Sequence, residues 1–145
     1  MLRFSFPARL SPDLADGGFV VTFRDLKGAI TQGNTVKEAL SQAADCVEEY
    51  VAYRLREGLE IPAPSKPRRG EYQVSVPALM AAKAALWVAM RESGMSNSRL
   101  ARQLGCDEKD IRRLLDPRHN SRITSLQTAV GALGKRIVVD VENAA

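Results

Sequence analysis

Residues 61–70 constrain the chain most strongly, because this stretch of ten holds three prolines and ends in a glycine. Proline lacks a backbone donor and clashes with the preceding helical turn, so neither a continuous helix nor a central strand can cross the stretch. The 145 residues of the chain suffice for one ordinary domain or for two small ones. We therefore interpret residues 61–70 as a hinge or linker, and we analyse each side of it separately.

The residues before the linker begin with a pattern of short strands. Residues 4–10 and 19–23 are rich in aromatic and β-branched side chains. The Asp16-Gly-Gly sequence between them favours a hairpin, and a third strand is predicted at residues 28–32. After the linker, residues 72–76 alternate polar and apolar side chains, so we expect a fourth strand that returns to the same sheet.

A long amphipathic helix is predicted from Thr35 onward. Thr35 and Glu38 have the spacing of a capping box, and Gly58 supplies a C-terminal stop. The apolar residues between these signals recur three or four positions apart, which is typical of one helical stripe. They are Val36, Leu40, Ala43, Ala44, Val47, Val51 and Leu55. The first half of the chain is therefore predicted to have the order β-β-β-α.

The second half of the chain is predicted to be helical. Residues 78–92 are rich in Ala, Leu and Met, follow Pro77, and precede a Ser-Gly pair. Three shorter helices are predicted at about residues 97–104, 108–115 and 125–133. Residues 137–141 are predicted to form a terminal strand. The fold class is thus α+β, with a first domain at residues 1–65, a linker and fourth strand at 66–77, and a second domain at 78–145.

Positive charge is concentrated in the second half. Of the 21 Lys and Arg residues, 7 lie in residues 1–58 and 14 in residues 59–145, whereas the 17 Asp and Glu residues divide into 8 and 9. Because a local basic region matters more to nucleic-acid binding than the total charge, we look for such binding after the linker.

Several classes of protein are disfavoured by composition. No apolar run approaches the roughly 20 residues that cross a bilayer, and residues 1–10 lack the apolar stretch of a secretion signal. We therefore expect a cytoplasmic protein with no membrane partner. Cys46 and Cys106 are far apart and have no nearby histidine or CxxC pairing, so we expect two reduced core thiols rather than a zinc site or a disulfide.

The densest local pattern spans residues 95–115. Ser96 is placed to cap a first short helix, Gly105 allows a sharp turn, and Asp107 is placed to cap a second helix. The apolar positions of the two helices are spaced to pack on each other. They are Leu100, Ala101, Leu104, Ile111, Leu114 and Leu115.

This spacing resembles the helix-turn-helix of the phage-repressor or Xre-like family, with Ala101, Gly105 and Ile111 at the family's small, turn and core positions. The resemblance implies that the second helix enters the major groove of DNA and that the first begins with a phosphate-holding polar residue. The DNA-binding residues it implies are Asn97, Asp107, Glu108, Lys109, Arg112 and Arg113.

The chemistry of these side chains suits DNA. Arg112 and Arg113 can form bidentate bonds to guanine or bind phosphate, and Glu108 can accept a hydrogen bond from cytosine. Four further arginines would add a sequence-independent attraction to phosphates. These are Arg99, Arg102, Arg118 and Arg122. The alternative is a helical hairpin whose charged face is merely solvated.

The first half carries a second resemblance, at residues 17–28, 31–40 and 60–65. It is similar to HicB antitoxins in having a strand, an acidic-Leu-x-Gly turn, a Thr-Gln-Gly strand end, a Glu-Ala-Leu helix start and a proline-rich exit. The resemblance implies a truncated ribonuclease-H-like fold that binds and masks HicA, a small RNA-cleaving toxin.

We expect neither a catalytic site nor a metal or cofactor. Ribonuclease H chemistry needs carboxylates that converge on divalent metal ions. The acidic residues available in the first half are Asp13, Asp16, Asp25, Asp45, Glu48 and Glu49. Asp13 and Asp16 fit a flexible turn, however, and Asp45, Glu48 and Glu49 fit the solvent-exposed face of the long helix. His119 has no recognisable nucleophile beside it in the sequence, and Trp87, Met80 and Met90 have the spacing of core residues.

The expected partners are therefore a small HicA-like toxin ribonuclease, operator DNA, and further copies of this chain in a homodimer or tetramer. Residues 135–141 are a candidate dimer element, since an exposed apolar strand seeks a partner edge. Alternatively, they pair with residues 72–76 of the same chain. Two other functions remain open, a stand-alone ligand-sensing transcription regulator and a metal-dependent ribonuclease.

Overall fold

The computed structural model describes residues 1–144, which form a four-stranded antiparallel sheet and five helices. The strands are β1 (Ser5–Pro12), β2 (Phe19–Thr22), β3 (Ile30–Gly33) and β4 (Tyr72–Ser75). The helices are α1 (Val36–Glu57), α2 (Ala78–Ser93), α3 (Asn97–Leu104), α4 (Glu108–Leu115) and α5 (Ile123–Ala132). The predicted α+β class is confirmed. The chain separates into two compact units, Met1–Ala81 and Ala82–Ala145.

The sheet belongs to the first unit and has the strand order β3-β2-β1-β4. The predicted hairpin joins β1 to β2, and its two glycines adopt positive φ angles of 76° and 74° at Gly17 and Gly18. The predicted fourth strand returns to the same sheet, where Phe6 of β1 lies opposite Val74 of β4. β1 therefore pairs on both sides, and β4 lies at one edge.

Helix α1 packs on the sheet and has the ends that its sequence predicts. The Thr35 hydroxyl accepts a hydrogen bond from the Glu38 amide at 3.1 Å, and Gly58 ends the helix with a left-handed φ of 64°. The buried face of the helix completes the core of the first unit with Phe6, Ala8 and Val21 of the sheet. That face consists of Ala39, Ala43, Val47, Val51, Ala52 and Leu55.

The proline-rich segment forms no helix or strand, and polar contacts anchor its second half. The Asp25 carboxylate accepts hydrogen bonds from the Ser65 amide at 2.7 Å and from the Ser65 hydroxyl at 2.6 Å. The Arg24 guanidinium donates to the Lys66 carbonyl and pairs with Glu71, with 2.9 Å between Nε and Oε2. These polar contacts fix residues 65–71 to the turn after β2.

The second unit packs most of α2 and all of α3, α4 and α5 around a helical core. Its largest buried apolar side chains are Leu86, Met90, Leu100, Ile111 and Leu126. The prediction of a packing role is confirmed for Met90 and also for Met80, which is buried near the start of α2. Trp87 is half-buried, with the Arg91 guanidinium 5.4 Å from its ring centroid.

Two expectations about the second unit are wrong. Residues 137–141 form no strand, because a strand needs a hydrogen-bonded neighbour and the edge of β4 does not pair with them in the described residues. Cys106 is an exposed thiol rather than a core thiol, since it lies in the turn after α3, outside the packed helix faces. Cys46 is half-buried, and both cysteines are free.

Candidate nucleic-acid interface

Helices α3 and α4 have the bounds that their sequence predicts, because local signals mark each end. The Ser96 hydroxyl accepts a hydrogen bond from the Arg99 amide at 3.2 Å and caps α3. Gly105 ends α3 at a φ of 69°, a left-handed conformation that glycine adopts without strain. Asp107 is the N-cap of α4. Only three residues therefore separate two helices of eight residues each.

Helix α4 has one buried and one exposed face. Ile111 is fully buried and Leu115 nearly so, whereas Lys109, Arg112 and Arg113 are exposed. Because residues three or four apart share a face, the apolar positions hold the helix on its unit and leave its basic side chains in solvent.

The acidic residues of α4 are already engaged. Arg112 Nε lies 2.9 Å from Glu108 Oε2, and Arg113 Nη1 lies 3.7 Å from Asp110 Oδ1. Asp110 also accepts a hydrogen bond from the Asp107 amide at 3.1 Å. Exposed pairs of this kind contribute about 0–1 kcal/mol, so a DNA base or phosphate can displace the carboxylates at small cost.

The predicted site residues fall on neighbouring elements. Five of the six lie on α4 or its cap, and Asn97, which is half-buried, is the first residue of α3. Further exposed arginines lie on α3 and in the loop after α4, as the sequence suggested for a phosphate-attracting surface. They are Arg99, Arg102, Arg118 and Arg122.

Lys83 is a residue of this region that the sequence analysis missed. Its side chain is 1% exposed, and its Nζ donates to the carbonyls of Arg113 at 3.1 Å and Leu114 at 3.0 Å and to the Ser121 hydroxyl at 2.7 Å. Burial lowers the pKa of the Lys83 ammonium, and the charge of Asp116 partly opposes this shift. The ammonium thus binds carbonyls at the end of α4, where a cation also suits the helix dipole.

The loop after α4 gathers around the same lysine. His119 Nδ1 lies 2.9 Å from the Ser121 hydroxyl, which also lies 3.2 Å from the Arg113 carbonyl. His119 itself is exposed, whereas its partner Ser121 is buried and also accepts the hydrogen bond from Lys83 Nζ. The ring of His119 therefore has a serine hydroxyl as its partner, which the sequence analysis did not anticipate, and this contact helps to fix the loop.

Asp13 and Glu49 of the first unit make separate local contacts. Asp13 accepts hydrogen bonds from the Ala15 and Asp16 amides in the hairpin turn. Glu49 pairs with Arg56 on the same helix, at 3.0 Å. Across residues 1–144, no three metal-ligating side chains come together in a group that could hold a metal ion. Nor is any helix in the same part of the chain long and apolar enough to cross a membrane.

These features define a two-unit α+β protein whose candidate site is a set of exposed side chains on a short, capped helix. Residues 5–85 match a family model described as the HicB-like antitoxin of a bacterial toxin-antitoxin system. The chain therefore belongs to the HicB-like antitoxin family.

Curated relatives extend the similarity beyond the residues of the family model. The chain is 33% identical over 132 residues to Antitoxin HicB of Escherichia coli, an alignment that covers 91% of this chain and 95% of the relative. It is 36% identical over 132 residues to Antitoxin HicB 2 of Photorhabdus laumondii, covering 91% and 92%. It is also 36% identical over 113 residues to Antitoxin HicB of Pseudomonas fluorescens, covering 77% of each.

Proposed function

We propose that the protein is a non-enzymatic antitoxin that binds and masks a small RNA-cleaving toxin of the HicA type and represses its own operon by binding operator DNA. Membership of the HicB-like antitoxin family supports the pairing with a toxin. The capped pair of helices with exposed arginines supports DNA binding, and this geometry is the observation that carries the second activity.

Toxin capture is assigned to the first unit. The family model covers residues 5–85, which include the whole sheet, α1 and the anchored proline-rich segment. The proposed fold is the truncated ribonuclease-H-like domain of the family. Masking a toxin requires only a complementary surface, so this unit needs neither a metal nor a catalytic side chain.

DNA binding is assigned to the second unit, with α3 and α4 as a helix-turn-helix. In this arrangement α4 lies in the major groove, where Arg112 and Arg113 bind guanine edges or phosphates and Glu108 accepts from cytosine. Lys109 and Asp107 lie at the amino end of α4, and Asn97 holds a phosphate at the start of α3.

A homodimer or tetramer completes the proposed assembly. Helix α4 has eight residues and is about 12 Å long, so it spans only a few base pairs. Two-fold assemblies that place two such helices on paired half-sites are the common solution to this limit.

The test uses the full-length chain with Arg112 replaced. Arg112→Ala should weaken binding to the promoter region of the protein's own operon by about 1–3 kcal/mol if Arg112 contacts a base. Capture of the toxin should remain unchanged, because Arg112 lies outside the first unit. Both affinities are measurable by fluorescence anisotropy and calorimetry.

Arg56→Ala is the matched control, since Arg56 is an exposed arginine on a helix of the first unit. This variant should keep the operator affinity of the unchanged protein. Equal operator affinities for Arg112→Ala and Arg56→Ala would remove Arg112 from the DNA-binding surface.

A further inference from the structure

A pocket of about 310 Å³ lies within the first unit. Three arginines and one glutamate provide its charged groups, and a threonine and a buried phenylalanine complete its lining. The lining residues are Arg9, Thr22, Phe23, Arg24, Arg68 and Glu71. The candidate nucleic-acid interface consists of residues of the second unit, so this pocket is a separate feature of the molecule.

The register of the sheet brings the residues of the pocket together. Arg9 of β1 lies opposite Thr22 of β2, and directly opposed residues of an antiparallel pair project from the same face. On the other side of β1, Ala8 lies opposite Tyr72, so Glu71, one residue earlier, comes beside Arg9. Arg9 is exposed and Ala8 is fully buried, because successive side chains of a strand alternate between two faces. Arg9 and Thr22 therefore project from the face of the sheet opposite to that of Ala8.

Arg24 and Glu71 form a fixed, electrically balanced wall of the pocket. The Glu71 side chain is only 3% exposed, and its carboxylate accepts hydrogen bonds from Arg24 Nε at 2.9 Å and Nη2 at 3.1 Å. It also accepts a hydrogen bond from the Arg68 backbone amide at 2.6 Å. Arg24 donates in addition to the Lys66 carbonyl. Because these contacts hold both partners in place, the pair adds structure to the pocket but no net charge.

The guanidinium groups of Arg9 and Arg68 carry the positive charge that remains. Both residues are exposed, and neither forms an ion pair among residues 1–144. Three arginines and one glutamate leave the pocket with a net charge of +2. A guanidinium keeps its proton throughout the physiological pH range, so this charge is permanent and an anion is needed to neutralise it.

We propose that the pocket binds a phosphate group, to which Arg9 and Arg68 donate through their guanidinium groups and Thr22 through its hydroxyl. A phosphate monoester carries a charge of about −1.5 to −2 at pH 7, which balances the charge of the pocket, whereas a carboxylate balances only half of it. The planar fork of a guanidinium also matches two phosphate oxygens at once. This binding activity is additional to toxin capture and operator binding and depends on neither.

The volume of the pocket indicates a small ligand. Pockets for small molecules span about 300–1,000 Å³, and a volume of about 310 Å³ lies at the lower end of this range. Inorganic phosphate and the phosphate of a nucleoside monophosphate present the same kind of oxygens and nearly the same charge to the two arginines. The site therefore accepts a phosphate group from either source, and a direct comparison of two probes distinguishes them.

The test is an NMR titration of the isotope-labelled, full-length protein at constant ionic strength, with neither toxin nor DNA present. Inorganic phosphate should shift the amide signals of the pocket residues in a saturable way. The positions of the shifted signals are essential, because the exposed arginines of α4 also attract anions. Adenosine monophosphate is the second probe. Tighter binding of this probe at the same signals would identify a nucleotide as the source, and equal affinities would identify the phosphate group alone.

Two variants with the same change of charge locate the site. Arg68→Ala removes a guanidinium of the pocket but keeps the backbone amide that binds Glu71. It should raise the dissociation constant for inorganic phosphate about tenfold or more, as is typical for the loss of a charged hydrogen bond. Arg69→Ala is the matched control, because Arg69 is exposed and adjacent in the chain but does not line the pocket. This variant should bind phosphate as the unchanged protein does.

The outcomes decide between a phosphate site and general attraction of anions. Saturable shifts at Thr22 and Arg68 that Arg68→Ala weakens and Arg69→Ala leaves unchanged would support the site. An absence of saturable shifts, shifts confined to α4, equal effects of the two variants, or acetate binding as tight as that of phosphate would overturn it. Circular dichroism should show the same folded content for both variants. Failure of toxin capture or operator binding would not alter this result, because the titration contains neither partner.

Discussion

Gly33 shows how a single residue fixes the junction between β3 and α1. A Cβ atom built at Gly33 would lie 2.3 Å from the Ala39 backbone nitrogen, closer than nonbonded atoms approach. The strand end therefore needs glycine to let the first turn of the helix pack directly against it. This close approach explains the glycine of the Thr-Gln-Gly sequence on which the family resemblance partly rests.

We predict that Gly33→Ala destabilises the first unit by about 1–3 kcal/mol, the cost typical of overpacking against atoms that cannot move freely. The matched control is Gly131→Ala, in the last turn of α5, where an added Cβ meets nothing within 4 Å. That variant should gain about 0.5–1 kcal/mol, because alanine favours helices. Urea unfolding followed by circular dichroism measures both, and equal effects would contradict this account of Gly33.

Glu71 gives the first unit a pH-dependent contact. Its hydrogen bond with Arg24, aided by that from the Arg68 amide, lowers the pKa of the Glu71 carboxyl below its ordinary value of 4.5. The stabilisation is complete above pH 4.5 and is lost as the pH falls through the lowered pKa, where the carboxyl gains a proton.

We therefore predict that Glu71→Gln is less stable than the unchanged protein at pH 7 and that the difference shrinks below pH 4.5. Urea unfolding at a series of pH values measures the free energy of unfolding of both proteins. A difference that stays constant down to pH 2 would show that the charge of Glu71 does not contribute.

At the scale of elements, the sequence predicts the end of a helix where the residues that determine it are close to it in the chain. Helices α3 and α4 have the predicted bounds because Ser96, Gly105 and Asp107 act on their own backbone neighbours. The same is true of α1, with its threonine cap and terminal glycine. The predicted terminal strand is absent because a strand depends on a partner edge, which no local pattern supplies.

Long-range polar contacts are the part of the fold that the sequence does not reveal. The bond from Ser65 to Asp25 joins residues 40 positions apart, and it anchors the proline-rich segment. Lys83 is similar, because it reaches the end of α4 30 positions along the chain. In the sequence, Lys83 is conspicuous only as a lysine within a run of alanines.

Lys83 links α2 to α4, and we predict that Lys83→Met destabilises the second unit by about 1–3 kcal/mol. The two carbonyls and the Ser121 hydroxyl lose their donor, and buried acceptors without partners cost energy in this range. Thermal unfolding followed by the fluorescence of Trp87 measures the effect in this unit. Unchanged or raised stability would mean that relief of the buried charge outweighs the lost hydrogen bonds.

At the scale of the whole molecule, the chain joins two units of different kind. The first matches the antitoxin family over a sheet covered by one helix, and the second presents exposed arginines on a short, capped helix. Relatives named as antitoxins align over both units, since an alignment of 132 residues extends well past residue 85. In the proposed function, each unit has one binding activity.

The most direct test of the antitoxin assignment is an affinity purification of the tagged, full-length protein from its native cells, with mass spectrometry of the small proteins that accompany it. The account predicts a stoichiometric small partner that cleaves RNA when isolated and loses this activity when the antitoxin is added back. If cells that express both neighbouring genes yield no such partner, or if the isolated partner leaves RNA intact, the account of toxin masking is contradicted.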